Sequence, residues 1–552
     1  MEYILAHPEI ILQSASGTPI LSIITYLPLL GALIIALFVP RHDTWAIKVV
    51  ATVCAVLNFL LSLVVLRNFE AGTHKLQMVE YAEWIPSIGV SYFFGVDGMS
   101  ILLILLTTLL SVIVVVCSYS QIEENEKAYY ACLLFLETGM LGVFMALDFF
   151  LFYIFWEIML VPMYFLIGIW GHGRRLYSAI KFFLYTLFGS VFMLLGILAL
   201  YFFNGNPDYG TGKLTFNVIE LINNLKVPTQ PIFAGLSAQD LIFLAFFLGF
   251  AIKVPMFPFH TWLPDAHTDA PTAGSVILAG VLLKMGTYGF VRFSLPILPV
   301  ASETMIGFVG LLAVIGILYG ALVAMAQHDM KRLIAYSSVS HMGFLMLGIF
   351  ALNAEGVSGG ILQMINHGVT TGALFLMVGM LYERRHTREI SAFKGLSTTV
   401  PVFAVFFGIT MFSSIGLPGL NGFVGEFLIL LGMFKTSVTF AVLAVLGIVL
   451  GAAYMLWLYQ RTMFGTPDES DHGHAMPDMN YREIGYLLPL IILMFWIGLY
   501  PRPYLNLMQP TVNHYVAKMQ ERQKAAHAEA EQATRQARTA ATSQIAVKTE
   551  GR

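Results

Sequence analysis

Residues Lys253–Gly289 read KVPMFPFHTWLPDAHTDAPTAGSVILAGVLLKMGTYG, and they join two apolar runs that each carry one lysine. The run ending here, LGFAIK, is broken by Pro255 and Pro258 three residues apart. Proline removes a helix hydrogen bond and clashes with the preceding turn, so this run predicts an interrupted helix. The run that follows is long enough to cross a bilayer and places Lys284 well inside it. A charge at that depth costs about 2.5–3.5 kcal/mol even on the lenient insertion scale. Each lysine therefore needs a partner, a cavity or a function.

The rest of the chain has the same character. Of 552 residues, 57% are apolar, and roughly 315 apolar residues at ~20 per spanning helix give room for more than a dozen spans. Charged residues make up 11%, against about 25% in a soluble domain. No soluble fold has the interior to hide so much apolar side chain. A disordered chain, a nucleic-acid binder and an ordinary cytosolic enzyme are excluded. The net charge of −3 adds little. The three cysteines, Cys54, Cys117 and Cys132, form no CxxC pair, which argues against a bound iron–sulfur cluster or structural zinc. No glycine-rich nucleotide loop follows a strand. No basic stretch precedes the first apolar run, which reads as a retained span.

The pattern predicts an all-α polytopic membrane protein of about fourteen helices. The expected spans are 20–39, 46–66, 99–119, 129–147, 149–169, 177–203, 238–263, 272–292, 303–326, 331–350, 355–382, 400–434, 438–464 and 483–500. The long connections 67–98 and 204–237 carry Pro and Gly, and the first has the composition for short strands. Fourteen Lys and Arg, among them Arg175, Lys331 and Arg385, fall in loops after odd-numbered spans, and six, among them Arg292, in loops after even-numbered ones. The positive-inside bias puts the odd loops in the cytoplasm and both termini outside. The basic tail pulls the other way, but long tails count for less.

The twelfth span, FSSIGLPGLNGFVGEFLIL, is interrupted like the seventh, by Pro418 and Gly419. A single such site reads as a kink in a packed helix. Two, five spans apart, point to inverted five-helix units, spans four to eight and nine to thirteen, with a transport pathway between them. The corresponding division is an N-terminal region of residues 1–128, repeats 129–292 and 303–464, a span-fourteen region 465–511 and a charged tail 512–552.

The span-embedded ionisable residues are Glu157, Lys253, Lys284, His341, His367 and Glu426, with Glu137 ranked below them. Lys253 sits where a half-helix ends, and the negative dipole end there favours an ammonium. Glu426 follows the second break, where the positive dipole end suits a carboxylate; a plain helix-end charge is the bland alternative. Lys253 also reads as a lysine snorkelling to an interface, and Glu157 as a neutral helix contact. Each histidine alone reads as a hydrogen-bonded core residue, and both have the near-neutral titration that suits a proton relay. Ser337, Ser338 and Ser340 beside His341 offer hydroxyls for a water wire or a packing surface. Asp148 and Asp240 fall at span ends, and His472 and His474 read as solvated. A Glu–Lys pair at ~4 Å and an effective dielectric near 20 attracts by about 4 kcal/mol, and doubling the distance halves that. A small helix movement then has a proton-releasing consequence.

Lys253–Gly289, together with FWEIMLVPMYFLIG, QHDMKRLIAYSSVSHMGF and LPGLNGFVGEF, resembles the antiporter-like membrane subunits of respiratory complex I, within them the M-type. The resemblance covers nearly all the spans. It implies a proton channel in the membrane arm of a bacterial NADH:quinone oxidoreductase, in the inner membrane beside sister antiporter-like subunits. It implies that Glu157 pairs with Lys253, that Lys284 sits at the centre, that His341 and His367 continue the axis, and that Glu426 serves the outward exit. FMN, iron–sulfur clusters and quinone would be held by other subunits, and this chain would bind no cofactor. No long lateral helix is expected after span fourteen, unlike the L-type, and the charged, Ala-rich tail is given no function. A D-type subunit of a multisubunit sodium/proton antiporter, or the equivalent subunit of a membrane-bound hydrogenase or formate-linked complex, would use the same side chains.

Overall fold

A computed structural model of the chain describes residues 11–12, 18–466 and 476–550. His472 and His474 lie outside the described residues. Each of the expected spans falls on a helix or on a broken pair of helices. Helix 1 is Ile20–Phe38, helix 2 Thr44–Asn68, helix 3 Ile101–Cys117 and helix 4 Glu126–Met145. Helix 5 is split into Phe149–Ile158 and Leu160–Trp170, helix 6 is Arg175–Gly205, and helix 7 is split into Ala238–Lys253 and Trp262–Asp269. Helix 8 runs Thr272–Ile297, helix 9 Ile306–Met325, helix 10 Met330–Ile349 and helix 11 Ala354–Arg385. Helix 12 is split into Pro401–Ser414 and Asn421–Thr436, and helices 13 and 14 are Val438–Met463 and Tyr481–Leu499. Among the described residues, ten helices are long and apolar enough to cross a membrane by length and composition.

Helices 8 and 11 are buried along their spans and form the centre. Helices 1, 2, 9 and 13 are peripheral and expose large apolar side chains such as Phe38, Leu57, Leu322 and Val449. An apolar rim around a polar-containing centre is the arrangement a lipid solvent favours. The connection 67–98 does form strands: β1 (Gln77–Ile85) pairs antiparallel with β2 (Val90–Val96). The second connection holds a short helix, Val218–Asn224, and the strands β3 (Pro231–Phe233) and β4 (Leu236–Ser237). Asp148 caps helix 5 through the amides of Phe150 and Leu151, and Asp240 completes a capping box with Ser237 at helix 7, so both acids sit at helix starts as expected.

Both interruptions are real, and each is held by side chains that satisfy freed backbone groups. In helix 7 the Trp262 indole donates to the Ile252 carbonyl at 2.9 Å. In helix 12 the chain turns through Gly416 (φ +72°) and Gly419 (φ +94°), where a Cβ is disfavoured. Asn366 of helix 11 donates to the Asn421 carbonyl at 2.7 Å, bridging the gap.

Three expectations need correction. The chain does carry a long helix after helix 14: Arg502–Glu550, 49 residues. It has no apolar run, so hydropathy passes over it, but its Ala, Glu, Gln, Lys and Arg are strong helix formers. Its first half lies on the ends of the even-numbered helices. Thr511 accepts from the Gly98 amide at 3.2 Å, Gln523 donates to the Pro299 carbonyl at 2.9 Å, and Lys518 donates to Asn223. Arg292 and Lys331 are not loop residues. They lie in helices 8 and 10 and are buried. Moving Arg292 out of the even-loop set and Lys331 out of the odd-loop set leaves thirteen against five, so the charge asymmetry stands.

Candidate functional site

The two central helices set the site. Helix 8 contains two wide turns, Leu278–Leu282 and Phe290–Ser294, on either side of Lys284. Such π-type turns shift the register of a helix face and recur at functional positions. Here they aim Lys284 across to helix 11, where its Nζ lies 2.6 Å from His367 Nδ1 and also donates to the Ala279 carbonyl. The His367 ring is 5.8 Å, centroid to centroid, from that of His341 in helix 10. His341 Nδ1 in turn lies 3.5 Å from Glu426 Oε1, and its Nε2 is 3.4 Å from the Ser414 hydroxyl. Lys284, His367, His341 and Glu426 thus form one buried line from the centre of the protein to the break in helix 12.

A polar cavity of about 10 Å³ lies along this line, with His341, Gln363, His367, Thr370 and Ser413 among its walls. That is room for about one water with several polar partners. His367 Nε2 has no hydrogen-bond partner among the described residues.

Glu426 does not sit where the dipole argument puts it. The half-helix starts at Asn421, so Glu426 is in its second turn, beyond the reach of the terminal charge. Its partners are His341 and Gln363, and its carboxylate leans against Gly416 in the break. The helix-end reading therefore loses its support.

Glu157 and Lys253 are neighbours that do not touch. They interact electrostatically, with Tyr153 and Ser190 beside the carboxylate. Lys253 Nζ has no hydrogen-bond partner among the described residues; it lies 5.3 Å from the centre of the Trp156 ring and 5.7 Å from that of Phe182. Cation–π attraction at such distances is worth about 2 kcal/mol when desolvated. The expected direct pair is replaced by an ammonium held on aromatic faces within the field of the carboxylate. No described hydrogen bond joins Lys253 to Lys284. Glu137 stands apart from the line, accepting from Asn58 of helix 2 at 2.7 Å with its second oxygen unpartnered among the described residues.

Comparison with known proteins decides the family. The family described as NADH:quinone oxidoreductase/Mrp antiporter, transmembrane, matches residues 146–451. NADH-quinone oxidoreductase subunit M of Rhodobacter capsulatus is 47% identical over 501 residues, covering 90% of this chain and 96% of that protein. Subunit M of Rickettsia typhi is 45% identical over 505 residues, covering 91% and 99%. The chain belongs to the subunit M family. Among solved structures, a chain of respiratory complex I from Thermus thermophilus matches with a TM-score of 0.80 at 32% identity, over 90% of this chain and 99% of that one. A chain of the Mrp complex from Dietzia sp. shares the fold, with a TM-score of 0.76 at 20% identity over 90% and 99%.

Within this family member, three buried polar groups escape a reading of the sequence. His267 is fully buried, stacks on Phe375 at 4.7 Å, and has both ring nitrogens unpartnered among the described residues. It lies in the fields of Lys284 and Lys331. Lys331 opens helix 10 and donates to the Ala270 carbonyl in the turn between helices 7 and 8. Arg292 binds Asp97 through two hydrogen bonds of 2.6 Å. The signal for His267 is its place between the two prolines of LPDAHTDAP; the other two carry none, because their burial depends on tertiary packing.

Proposed function

We propose that this chain is the proton-translocating membrane-arm subunit of a bacterial NADH:quinone oxidoreductase, and that the Lys284–His367–His341–Glu426 line is its proton pathway. The observation that carries this reading is the buried line itself, which ends at a helix broken in the middle. Four titratable groups brought together at membrane depth have no packing purpose that apolar side chains would not serve better. The 45–47% identity to subunit M proteins, against 20% for the Mrp chain, favours the redox-linked complex over the antiporter.

In this mechanism helices 4–8 and 9–13 act as two inverted units, with the breaks in helices 7 and 12 at corresponding positions. Loops after odd-numbered helices face the cytoplasm, and uptake from that side reaches Lys284 past Lys331 and His267. Lys284 hands its proton to His367 Nδ1 across 2.6 Å, and the water-sized cavity carries it on to His341. His341 delivers it to Glu426 across 3.5 Å, and Glu426 releases it through the break in helix 12. Glu157 and Lys253 set the field at the break in helix 7. When helix 5 approaches helix 7 the ammonium is stabilised; when it withdraws, the aromatic cradle alone must hold it. Electron transfer through flavin, iron–sulfur clusters and quinone belongs to partner subunits, so this chain acts without redox chemistry of its own.

The test is Glu426→Gln, which keeps the shape and removes the titration. In an assembled complex, proton uptake into inverted vesicles and quinone reduction should fall together, with Glu426→Asp milder. NADH oxidation by a soluble artificial acceptor should stay near the parent rate. Normal pumping by the assembled Gln variant would remove Glu426 from the pathway.

A further inference from the structure

A second site lies away from the proton line, where helix 13 ends at the odd-loop face. A pocket of about 630 Å³ opens there between the last turn of helix 13 and the 390–394 segment. Its polar walls are Arg461, Lys394, His328, Gln460 and Ser391, and among the described residues no carboxylate lines it. Two acids adjoin the lining in sequence: Asp329 is committed to Arg388 at 3.2 Å, and Glu389 is exposed and not part of the wall. Arg461 is held by its neighbours. Its guanidinium lies 3.9 Å over the Trp457 ring, and one terminal nitrogen is buried with no hydrogen-bond partner among the described residues.

Below the pocket the wall turns apolar. Val442, Leu446, Val449, Leu456 and Trp457 follow helical spacing along helix 13, and all are exposed. The same strip thus presents cationic donors at its end, an aromatic ring at the boundary, and an open hydrocarbon surface along the membrane-spanning length. An anionic lipid has this profile from headgroup to acyl chain, and basic pockets at the ends of spanning helices bind such headgroups. A soluble phosphate would need the cations but not the strip. We propose that this pocket binds the phosphodiester headgroup of an anionic phospholipid, with the acyl chains laid along helix 13. Arg461 supplies a guanidinium at the pocket wall for a phosphate oxygen, Lys394 adds a second charge, and Trp457 marks the interface depth.

The experiment uses the intact complex in vesicles, with phosphatidylglycerol or phosphatidylcholine carrying brominated acyl chains. The fluorescence lost on Trp457→Phe isolates the signal of that ring. Brominated phosphatidylglycerol should quench it in preference to brominated phosphatidylcholine, and each charge removed by Arg461→Gln or Lys394→Gln should lower that preference about fivefold. Arg461→Lys should restore most of it, and native gels report assembly of every variant. Equal quenching by the two lipids, or a preference that survives the double Gln variant, overturns the proposal. Protection of Trp457 from both lipids would overturn it in favour of a neighbouring protein covering the strip. Displacement by millimolar inorganic phosphate would overturn it in favour of a soluble-anion site. Neutralising Asp468, Glu469 and Asp471, which follow in sequence, should leave the preference unchanged; a severalfold gain would assign the pocket to the chain's own acidic loop.

Discussion

Asp97→Asn should loosen the C-terminal helix from the body of the protein, although Asp97 lies far from it in sequence. Asp97 accepts two hydrogen bonds of 2.6 Å from Arg292, and both side chains are 1% exposed. Most of the remaining donors and acceptors are filled. Arg292 Nε donates to the Tyr288 hydroxyl at 2.9 Å and Nη1 to the Tyr515 hydroxyl at 3.2 Å, while Asp97 also accepts from the Met99 amide at 3.0 Å. Removing one partner of such a pair strands the other charge, at about 3–5 kcal/mol. The share felt by the C-terminal helix passes through Tyr515 and the Gly98–Thr511 contact. A hydrogen bond to a charged group is worth about 1.5–3 kcal/mol, or roughly a 10- to 150-fold change in the population of the released helix.

Trypsin cleavage at Lys518 and Arg522 reads that population, provided reclosing is faster than cutting. Both residues are engaged in the docked state, Lys518 with Asn223 and Arg522 with the Pro296 and Leu225 carbonyls. Asp97→Asn should raise the cleavage rate by about 10-fold or more. Arg292→Met should cost less, because Asp97 keeps its backbone donors. The double variant should cleave more slowly than Asp97→Asn alone, since no charge is then left unpaired. Additive effects in this cycle, or an unchanged rate in Asp97→Asn, would refute the clamp.

Further outcomes are expected elsewhere. A reporter fused after Arg175 or Arg385 should read cytoplasmic and one near Asn217 external; external signals at both basic loops would reverse the orientation. Lys253→Ala in an assembled complex should lower quinone-linked turnover at least as much as Glu157→Gln, with Glu157→Asp retaining more; normal pumping by the Ala variant would take Lys253 out of the mechanism. Gly286→Ala should impair assembly, because its Cβ would lie 2.7 Å from the Phe250 carbonyl of helix 7. Phe250→Leu should rescue Gly289→Ala, whose Cβ would meet the Phe250 ring first, and should not rescue Gly286→Ala, as native gels would show.

The spans are legible because hydrophobic length is a local property, and so are the breaks, which Pro and Gly announce in the residues themselves. Lys284 and Glu426 stand out for a related reason: charge within an apolar run is visible without a partner. What the sequence conceals is every fact that needs two helices at once. Arg292 looks like a loop arginine because nothing local shows that Asp97, nearly two hundred residues earlier, meets it. Lys331 looks cytoplasmic because its burial depends on the turn after helix 7. The two π-type turns of helix 8 leave no compositional trace. The C-terminal helix escapes hydropathy, to which Ala-rich charged sequence registers as loop despite its high helix propensity.

The contrast between the two kinds of buried charge carries the functional argument further than either alone. Arg292 and Asp97 are saturated: nearly every donor and acceptor is used, and such a pair is fixed in place. Around the proposed pathway the pattern reverses. Lys253 Nζ, one oxygen of Glu157, His367 Nε2 and both nitrogens of His267 have no hydrogen-bond partner among the described residues. A buried polar group left unpaired costs about 1–3 kcal/mol, so a cluster of them is not a packing outcome. A group that must take a proton from one neighbour and pass it to another cannot have all its positions filled in one state. On the proposed pathway, open positions on helices 5, 7 and 11 belong to groups placed to exchange protons, whereas the saturated Arg292–Asp97 pair beside the C-terminal helix holds the scaffold.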